Sequence, residues 1–257
     1  MILLLIILLI LILIFNNTRF FTNVVKPDVE IVIARYNEPL EWLKEDPYNK
    51  YPVIVYNKSG NENFHKSDKI TRVVDLPNVG REFHSYLYHI IHNYHNLADT
   101  TVFLPGSTQL PHKIAKAELL FSNLHKKTAI VCAGRMDDVK KELHNFTLDS
   151  YMSGDKSNAT LNNTSDLSPS TVRPFGKWYS NLFGDSVTTC MNQNLIFAVS
   201  KEDILKKPRS YYILLIKELD SHPNHETGHY FERATEAVFG PIDPESLLNF
   251  DHSTVKV

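Results

Sequence analysis

The sequence predicts an α/β fold: a single mixed, Rossmann-like sheet flanked by helices and preceded by one N-terminal hydrophobic helix. Three observations carry that expectation. From about Asp28 onward, short runs rich in Val, Ile, Phe and Tyr alternate with stretches whose apolar residues recur every three or four positions, which are the periods of strand and helix. The first such run, Val29–Ala34, ends abruptly in Arg35, Asn37 and Glu38, and in an open α/β sheet ligands collect at the carboxyl ends of strands. Ahead of it, Ile2 to Phe15 is an unbroken run of Leu and Ile closed by one Phe.

As a helix, that N-terminal run is about 21 Å long at ~1.5 Å per residue. This is short of a ~30 Å hydrocarbon core unless part of Asn16 to Phe21 enters and the bilayer thins. No basic residue precedes the run and no small-x-small site follows it before Phe20-Phe21. We therefore read residues 1–21 as an uncleaved membrane anchor in preference to a cleaved signal, with 22–27 a linker and 28–257 the folded domain. Arg19 and Lys26 on its C-terminal flank favour a cytoplasmic body. Against them stand Asn-x-Ser/Thr sequons at Asn16, Asn57, Asn145, Asn158, Asn162 and Asn163, which matter only in a secretory lumen. The expectation leans to a single-pass type II protein with its body in the ER/Golgi lumen. A cytoplasm-facing body and a viral membrane are the alternatives.

Strands are expected at Val29–Ala34, Pro52–Tyr56, Ile70–Leu76, Thr101–Leu104, Thr128–Ala133 and Leu195–Ser200, each bounded by Asn, Gly, Pro or Ser. Asn37 is expected to cap a helix that carries Pro39 in its first turn and packs Leu40, Trp42 and Leu43. Phe83, Leu87, Ile90, Ile91, Tyr94 and Leu97 trace a buried helix face, and Ile114 to Leu124 behaves likewise. Pro208 opens a further helix with an apolar stripe of Tyr211, Tyr212, Leu214, Leu215 and Leu219. A last one runs from about Glu226 to Phe239 and is closed by Gly240. Residues 136–176 break this rhythm and read as a long polar loop or insertion, disordered in its middle by composition.

Composition narrows the function. The chain has 257 residues, 43% of them apolar, enough for a sizeable core. Its formal charge of -2 gives no electrostatic footprint for nucleic acid. Cys132 and Cys190 are too few for a disulfide scaffold or a thiolate zinc site. Two reduced, buried thiols are the expectation, with one disulfide as the alternative. There is no Gly-x-x-x-x-Gly-Lys, Gly-x-Gly-x-x-Gly or Gly-x-Ser-x-Gly, so P-loop, dinucleotide and serine-hydrolase readings find no support. His84, His89, His92 and His95 fall on one expected helix, but no zincin Glu accompanies them, and we read them as polar-face histidines.

Two segments remain as site candidates. On the last helix, His229, Glu232, Arg233 and Glu236 share one side at three- and four-residue spacing. Arg173-Pro-Phe-Gly-Lys-Trp-Tyr179 interleaves Arg173 and Lys177 with aromatics. It serves either as a clamp over an anionic or sugar ligand or as an anchor reattaching the polar loop to the core.

The segments Ile31–Trp42 (IVIARYNEPLEW), Leu76–His84 (LPNVGREFH), Asn93–Gly106 (NYHNLADTTVFLPG) and Gly228–Phe239 (GHYFERATEAVF), in this order, resemble the uncharacterised DUF3431 family of fungi, other eukaryotes and large DNA viruses. More loosely, a strand ending in Arg-Tyr-Asn-Glu is similar to the Thr-Tyr-Asn-Glu opening of GT-A glycosyltransferases, which implies a GT-A-like sheet and transfer of a sugar from a nucleotide-sugar donor to a glycan or glycoprotein acceptor. On that resemblance Arg35, Asn37, Glu38, Arg81, Arg173 and Lys177 bind the nucleotide sugar, and Glu232 or His229 is the acceptor base, with a carboxylate pKa raised by partial desolvation. GT-A enzymes that use Mn²⁺ or Mg²⁺ usually hold it with Asp-x-Asp, which is missing here; Asp137 and Asp138 are the nearest substitute ligands. The small residues Pro105-Gly-Ser-Thr108 stand where that motif is expected. The alternative is a non-catalytic, membrane-anchored surface, virion or docking protein on the same fold.

Overall fold

The computed structural model describes residues 28–133, 145–149, 167–185 and 188–251. The apolar run Ile2–Phe15, the middle of the polar tract, and Asp137 and Asp138 lie outside these residues. Among the described residues no helix is long and apolar enough to cross a membrane.

Seven strands form one mixed sheet: β1 (Val29–Arg35), β2 (Val53–Asn57), β3 (Ile70–Asp75), β4 (Thr100–Pro105), β5 (Ala129–Ala133), β6 (Phe197–Ser200) and β7 (Leu247–Phe250), in the order β3-β2-β1-β4-β6-β5-β7. β1 pairs in parallel with β2 and β4, β2 with β3, and β5 with β7. β6 runs antiparallel to both β4 and β5. The six expected strands are present with small shifts at their ends. β6 starts at Phe197 instead of Leu195 because Asn194 and Leu195 take left-handed backbone, at φ 77° and 54°, which no strand accommodates. β7 is additional; Leu-Leu-Asn-Phe carries no β-branched residue to announce it.

The helices are α1 (Arg81–Asn93), α2 (Pro111–Ser122), α3 (Phe175–Phe183), α4 (Lys201–Leu205), α5 (Arg209–Ile216) and α6 (Glu226–Phe239). Alternate residues of each central strand face opposite sides of the sheet. Val32, Ile54, Phe103, Ile130 and Phe197 pack under α1, α3, α5 and α6, where Phe83 stacks on Phe231 with ring centroids 4.6 Å apart. Ile31, Ile33, Val53, Val55, Val102 and Leu104 pack on the other face against Leu40, Trp42, Leu43 and the α2 residues Ala117 and Leu120. Burying each large aliphatic or aromatic side chain contributes roughly 1.5–3 kcal/mol, so the sheet is held from both sides.

Two expectations are corrected. Asn37 caps no α-helix: Leu40 is left-handed at φ 57° and only a 3₁₀ turn, Glu41–Lys44, follows. The Glu38 carboxylate takes the Tyr36 and Asn37 N–H groups at 2.8 and 3.1 Å, which folds the strand end back on itself. The cysteines are not free thiols either. Cys132 and Cys190 form a disulfide with Cα atoms 5.0 Å apart. The backbone bond from Ala133 N to Met191 O at 2.8 Å brings β5 and residues 188–192 together, a pairing that a sequence separation of 58 does not reveal.

The two sequons within described residues also part company. Asn57 is fully buried, accepting from Arg35 Nη1 at 2.6 Å and donating to Asp75 at 2.9 Å, whereas Asn145 is exposed.

At the amino end of the sheet, away from the carboxyl ends of the parallel strands, Glu30 lies 3.4 Å from the fully buried His89, whose Nδ1 is 3.1 Å from the Tyr56 hydroxyl. Burial pushes the Glu30 carboxyl up to about 7, against the pull of Arg72. A carboxyl raised in the folded state adds stability that is fully present below its unfolded pKa and is lost as pH rises through about 7. We expect the wild type to lose about 1.4 kcal/mol relative to Glu30→Gln between about pH 6 and about pH 8, as urea midpoints at the two pH values would show. Parallel midpoints for the two proteins would refute the assignment.

Candidate functional site

The chain builds β1, β2 and β3 outward in one direction and then returns to lay β4 on the other side of β1. Between the carboxyl ends of β1 and β4 the strand order reverses, and in open α/β sheets that crevice is where ligands bind. Its floor is the Arg35–Glu38 turn and the Pro105–Thr108 turn. Gly106 joins them: its N–H bonds to Ala34 O at 2.7 Å, and its carbonyl accepts from Trp42 Nε1 at 2.9 Å. A Cβ at this position would stand 2.6 Å from Glu38 Oε2, so a larger residue would displace the Glu38 carboxylate from the Tyr36 and Asn37 N–H groups. Asn37 is half-buried at the rim, its Oδ1 accepting from Asn61 Nδ2 at 2.6 Å.

Arg35 is 1% exposed and works inward. Its Nε donates to Glu38 O at 2.8 Å, and Nη1 donates to Asn57 Oδ1 and Asn61 O, each at 2.6 Å, with the Phe64 ring 4.3 Å from the guanidinium. It ties the β1 and β2 ends together.

One wall is the start of α1. Gly80 and Arg81 are both left-handed, at φ 59° and 52°. A non-glycine residue held so costs on the order of 1–2 kcal/mol, and such strain concentrates at functional sites. The corner is fixed from below by Lys58, whose Nζ donates to Val79 O and Arg81 O, and by the bond from Gly80 N to His222 O at 2.9 Å. Burial pushes the Lys58 amine down to about 7, against the pull of Glu82. The Arg81 stem lies on Gly228, where a Cβ would meet Arg81 Cδ at 3.0 Å, and its Nη1 donates to Asn224 Oδ1 at 3.2 Å. Glu82 follows, its carboxylate 3.6 Å from Arg81 Nε.

The opposite wall comes from α2. Lys113 is 8% exposed, donates to Ser107 Oγ at 2.6 Å, and feels Glu82, Glu38, Arg81 and Glu232. Burial lowers its pKa, while the three carboxylates oppose that shift. One turn on, the fully buried Lys116 donates to Asn194 Oδ1 at 2.8 Å and Gln193 O at 3.2 Å; burial brings it down to about 8, against the pull of Glu232.

The third side is α6. Glu232 accepts from Asn194 N at 3.4 Å and lies 3.5 Å from His229 Nδ1 and 3.9 Å from Arg233 Nη1. Burial raises its carboxyl, but the His229 hydrogen bond together with the charges of His229, Arg81 and Arg233 outweighs burial and holds it at about 2. The raised pKa expected for this residue is therefore overturned: its neighbours are cations as well as aromatics. Two cationic helix starts thus converge on three carboxylates, Glu38, Glu82 and Glu232.

A family model described as a protein of unknown function, DUF3431, matches residues 31–246. The chain belongs to the DUF3431 family. Comparison with curated proteins finds no match. The DUF3431 match runs from β1 to the turn before β7, so it includes every wall of the crevice.

Arg173 meets α6 at Glu226, and no contact among the described residues joins Arg173 or Lys177 to Glu38, Glu82 or Glu232. Arg173 pairs with the fully buried Glu226 at 2.9 Å and with Asp149 at 3.0 Å, and Lys177 points outward, exposed on α3. Phe175 and Trp178 are buried against Tyr230, and Tyr179 against Phe175, so these aromatics pack into the core as the anchor alternative expects. Glu236 binds Thr189 N at 2.6 Å. Of the α1 histidines, His84 and His89 are buried instead of lying on a polar face, and burial pushes both down to about 3. Among the described residues no group of three or more His, Cys, Asp or Glu is arranged to hold a metal ion. Sequence reasoning missed Glu82, Lys113 and Lys116. The available signal was a strand running into Pro-Gly-Ser-Thr, with two lysines three apart behind Pro111.

Proposed function

We propose that this DUF3431 chain is a glycosyltransferase that moves a sugar from a nucleotide-sugar donor to a glycan or glycoprotein acceptor, on a GT-A-like domain. The observation that carries this reading is the convergence of Arg81 and Lys113 on Glu38, Glu82 and Glu232 at the β1/β4 crevice. A diphosphate needs concentrated positive charge, and a hydroxyl nucleophile needs a carboxylate or imidazole within reach. Cations and carboxylates lie together there, and Ser107, which accepts from Lys113 at 2.6 Å, adds a hydroxyl beside the lysine. Asn37 and Asn61 offer neutral amides at the rim for the nucleoside.

For Mn²⁺ or Mg²⁺ the described residues are a poor fit, because hard cations want clustered oxygen ligands and these carboxylates already face lysine and arginine. The reading accordingly assigns the diphosphate charge to Arg81 and Lys113, and Asp137 and Asp138 remain the candidates for any ion. The Cys132–Cys190 disulfide is in keeping with a body in an oxidising lumen behind an Ile2–Phe15 anchor. The missing Asp-x-Asp favours the second reading, a non-catalytic surface, virion or docking protein on the same fold.

A thermal-shift panel of UDP- and GDP-sugars, with and without Mn²⁺, tests the proposal. A donor at about 100 times its Kd stabilises the native state by about 2.7 kcal/mol, raising Tm by roughly 5 to 10 °C. No shift with any donor leaves the docking reading.

A further inference from the structure

The crevice holds three carboxylates, and two of them are already committed. Glu38 accepts two backbone N–H groups and abuts Gly106. Glu232 takes Asn194 N and faces His229 and Arg233. At the two ends of α6, Glu226 is bound to Leu148 N, Ser170 N and Arg173, and Glu236 to Thr188 and Thr189. Glu82 differs. Among the described residues its carboxylate accepts no side-chain hydrogen bond, its nearest cation atom is Arg81 Nε at 3.6 Å, and it is 25% exposed. It sits in the first turn of α1 beside Arg81 and feels the charge of Lys113, the two cations that the nucleotide-sugar reading gives to the diphosphate.

Resting on that reading, we infer that Glu82 is the catalytic base of the transfer and that donor binding arms it. The acceptor hydroxyl oxygen bonds to the anomeric carbon as the bond from that carbon to the diphosphate oxygen breaks. The nucleoside diphosphate leaves with the electron pair, and the hydroxyl proton passes to the Glu82 carboxylate.

The arming follows from what surrounds Glu82. Arg81 and Tyr86 face it from α1, Lys58 from the end of β2, Lys113 from α2 and Glu232 from α6. In the free protein, burial raises the Glu82 carboxyl, but Arg81, Lys113 and its own backbone N–H outweigh burial and keep it low. A carboxylate so held is a weak base. When a diphosphate engages Arg81 and Lys113, their charge is spent on phosphate oxygens. Burial and the like charge of Glu232 then dominate, and both favour proton uptake. Basicity thus appears only once a donor is in place, which also limits idle chemistry in its absence.

The test compares full-length wild type with Glu82→Gln, reading donor affinity by calorimetry and sugar transfer across pH. We expect kcat to fall by about 10²–10⁴-fold, with donor Kd changed by less than about threefold. In the wild type the acidic limb of kcat, which reports the donor complex, should lie at higher pH than that of kcat/KM for the donor, which reports the free enzyme. Turnover by Glu82→Gln at the wild-type rate overturns the assignment and leaves the nucleotide-sugar reading intact. Loss of donor affinity in step with kcat overturns it too, since Glu82 would then only position Arg81. A wild type that binds no donor removes both. If circular dichroism shows Glu82→Gln unfolded, Glu82→Asp carries the same test: a lower kcat with the acidic limb retained supports the base, and an unchanged kcat refutes it.

Discussion

Replacing Cys132 and Cys190 by serine lowers the stability of the domain by about 4 kcal/mol and its Tm by about 10 °C. The bond closes a loop across a sequence separation of 58, and a cross-link of that span removes this much conformational entropy from the unfolded chain on the loop-closure account. The consequence is not confined to stability. Residues 188–195 run from the disulfide to the crevice: Asn192 N bonds to Glu232 O at 2.7 Å, and Asn194 meets both Lys116 and Glu232. Freed at Cys190, this segment holds its left-handed Asn194–Leu195 corner less firmly, and donor affinity should fall with stability. Thermal unfolding of the double mutant, and of the wild type with and without reductant and with free thiols counted by mass spectrometry, checks the first effect; a donor titration checks the second. Equal melting temperatures would show that the cross-link adds nothing to the folded domain.

The sheet was legible in the sequence because burial on both faces leaves the inner strands as short, mostly apolar runs, and the exposed edge strand β3 is marked instead by its β-branched Ile70, Thr71, Val73 and Val74. β7 was not legible, since Leu-Leu-Asn-Phe carries no β-branched residue and relies on Ile130 to Ala133 of β5 for its pairing. The crevice was half legible. Arg81 and Glu232 stand out as charges on apolar-striped helices, but nothing local shows that Lys113 reaches Ser107, or that Arg81 crosses to lie on Gly228. Those contacts depend on the β1/β4 reversal, a tertiary fact. Arg35 shows the opposite failure. A charge at a strand end reads as ligand-facing, yet here four carbonyl and side-chain oxygens of the adjoining turns, Glu38 O, Tyr36 O, Asn57 Oδ1 and Asn61 O, take its Nε and Nη1 donors. The disulfide was invisible for the same reason as the Lys113 contact: its two halves meet only after β5 and residues 188–192 have paired.

Arg173→Met should cost the protein about 3 kcal/mol and leave donor affinity unchanged. Glu226 is fully buried at the start of α6, and its oxygens take Leu148 N at 2.7 Å and Ser170 N at 2.8 Å beside the Arg173 guanidinium. Methionine keeps much of the stem and removes the charge, so an anion is left in the interior with two backbone donors and no counter-ion. Breaking a buried pair from one side costs about 3–5 kcal/mol, and the lower end applies because Arg173 is 33% exposed and partly screened by water. The same change removes the Arg173 bonds to Leu148 O and Asp149, while the Leu148 N and Ser170 N bonds to Glu226 still tie both flanks of the polar tract to α6. A urea midpoint for Arg173→Met gives the single cost. The double mutant with Glu226→Gln gives the coupling, which should recover part of the loss by removing the stranded charge. Unaltered stability with lost donor binding would return Arg173 to the ligand-contacting role that its place beside Phe175, Lys177 and Trp178 first suggested.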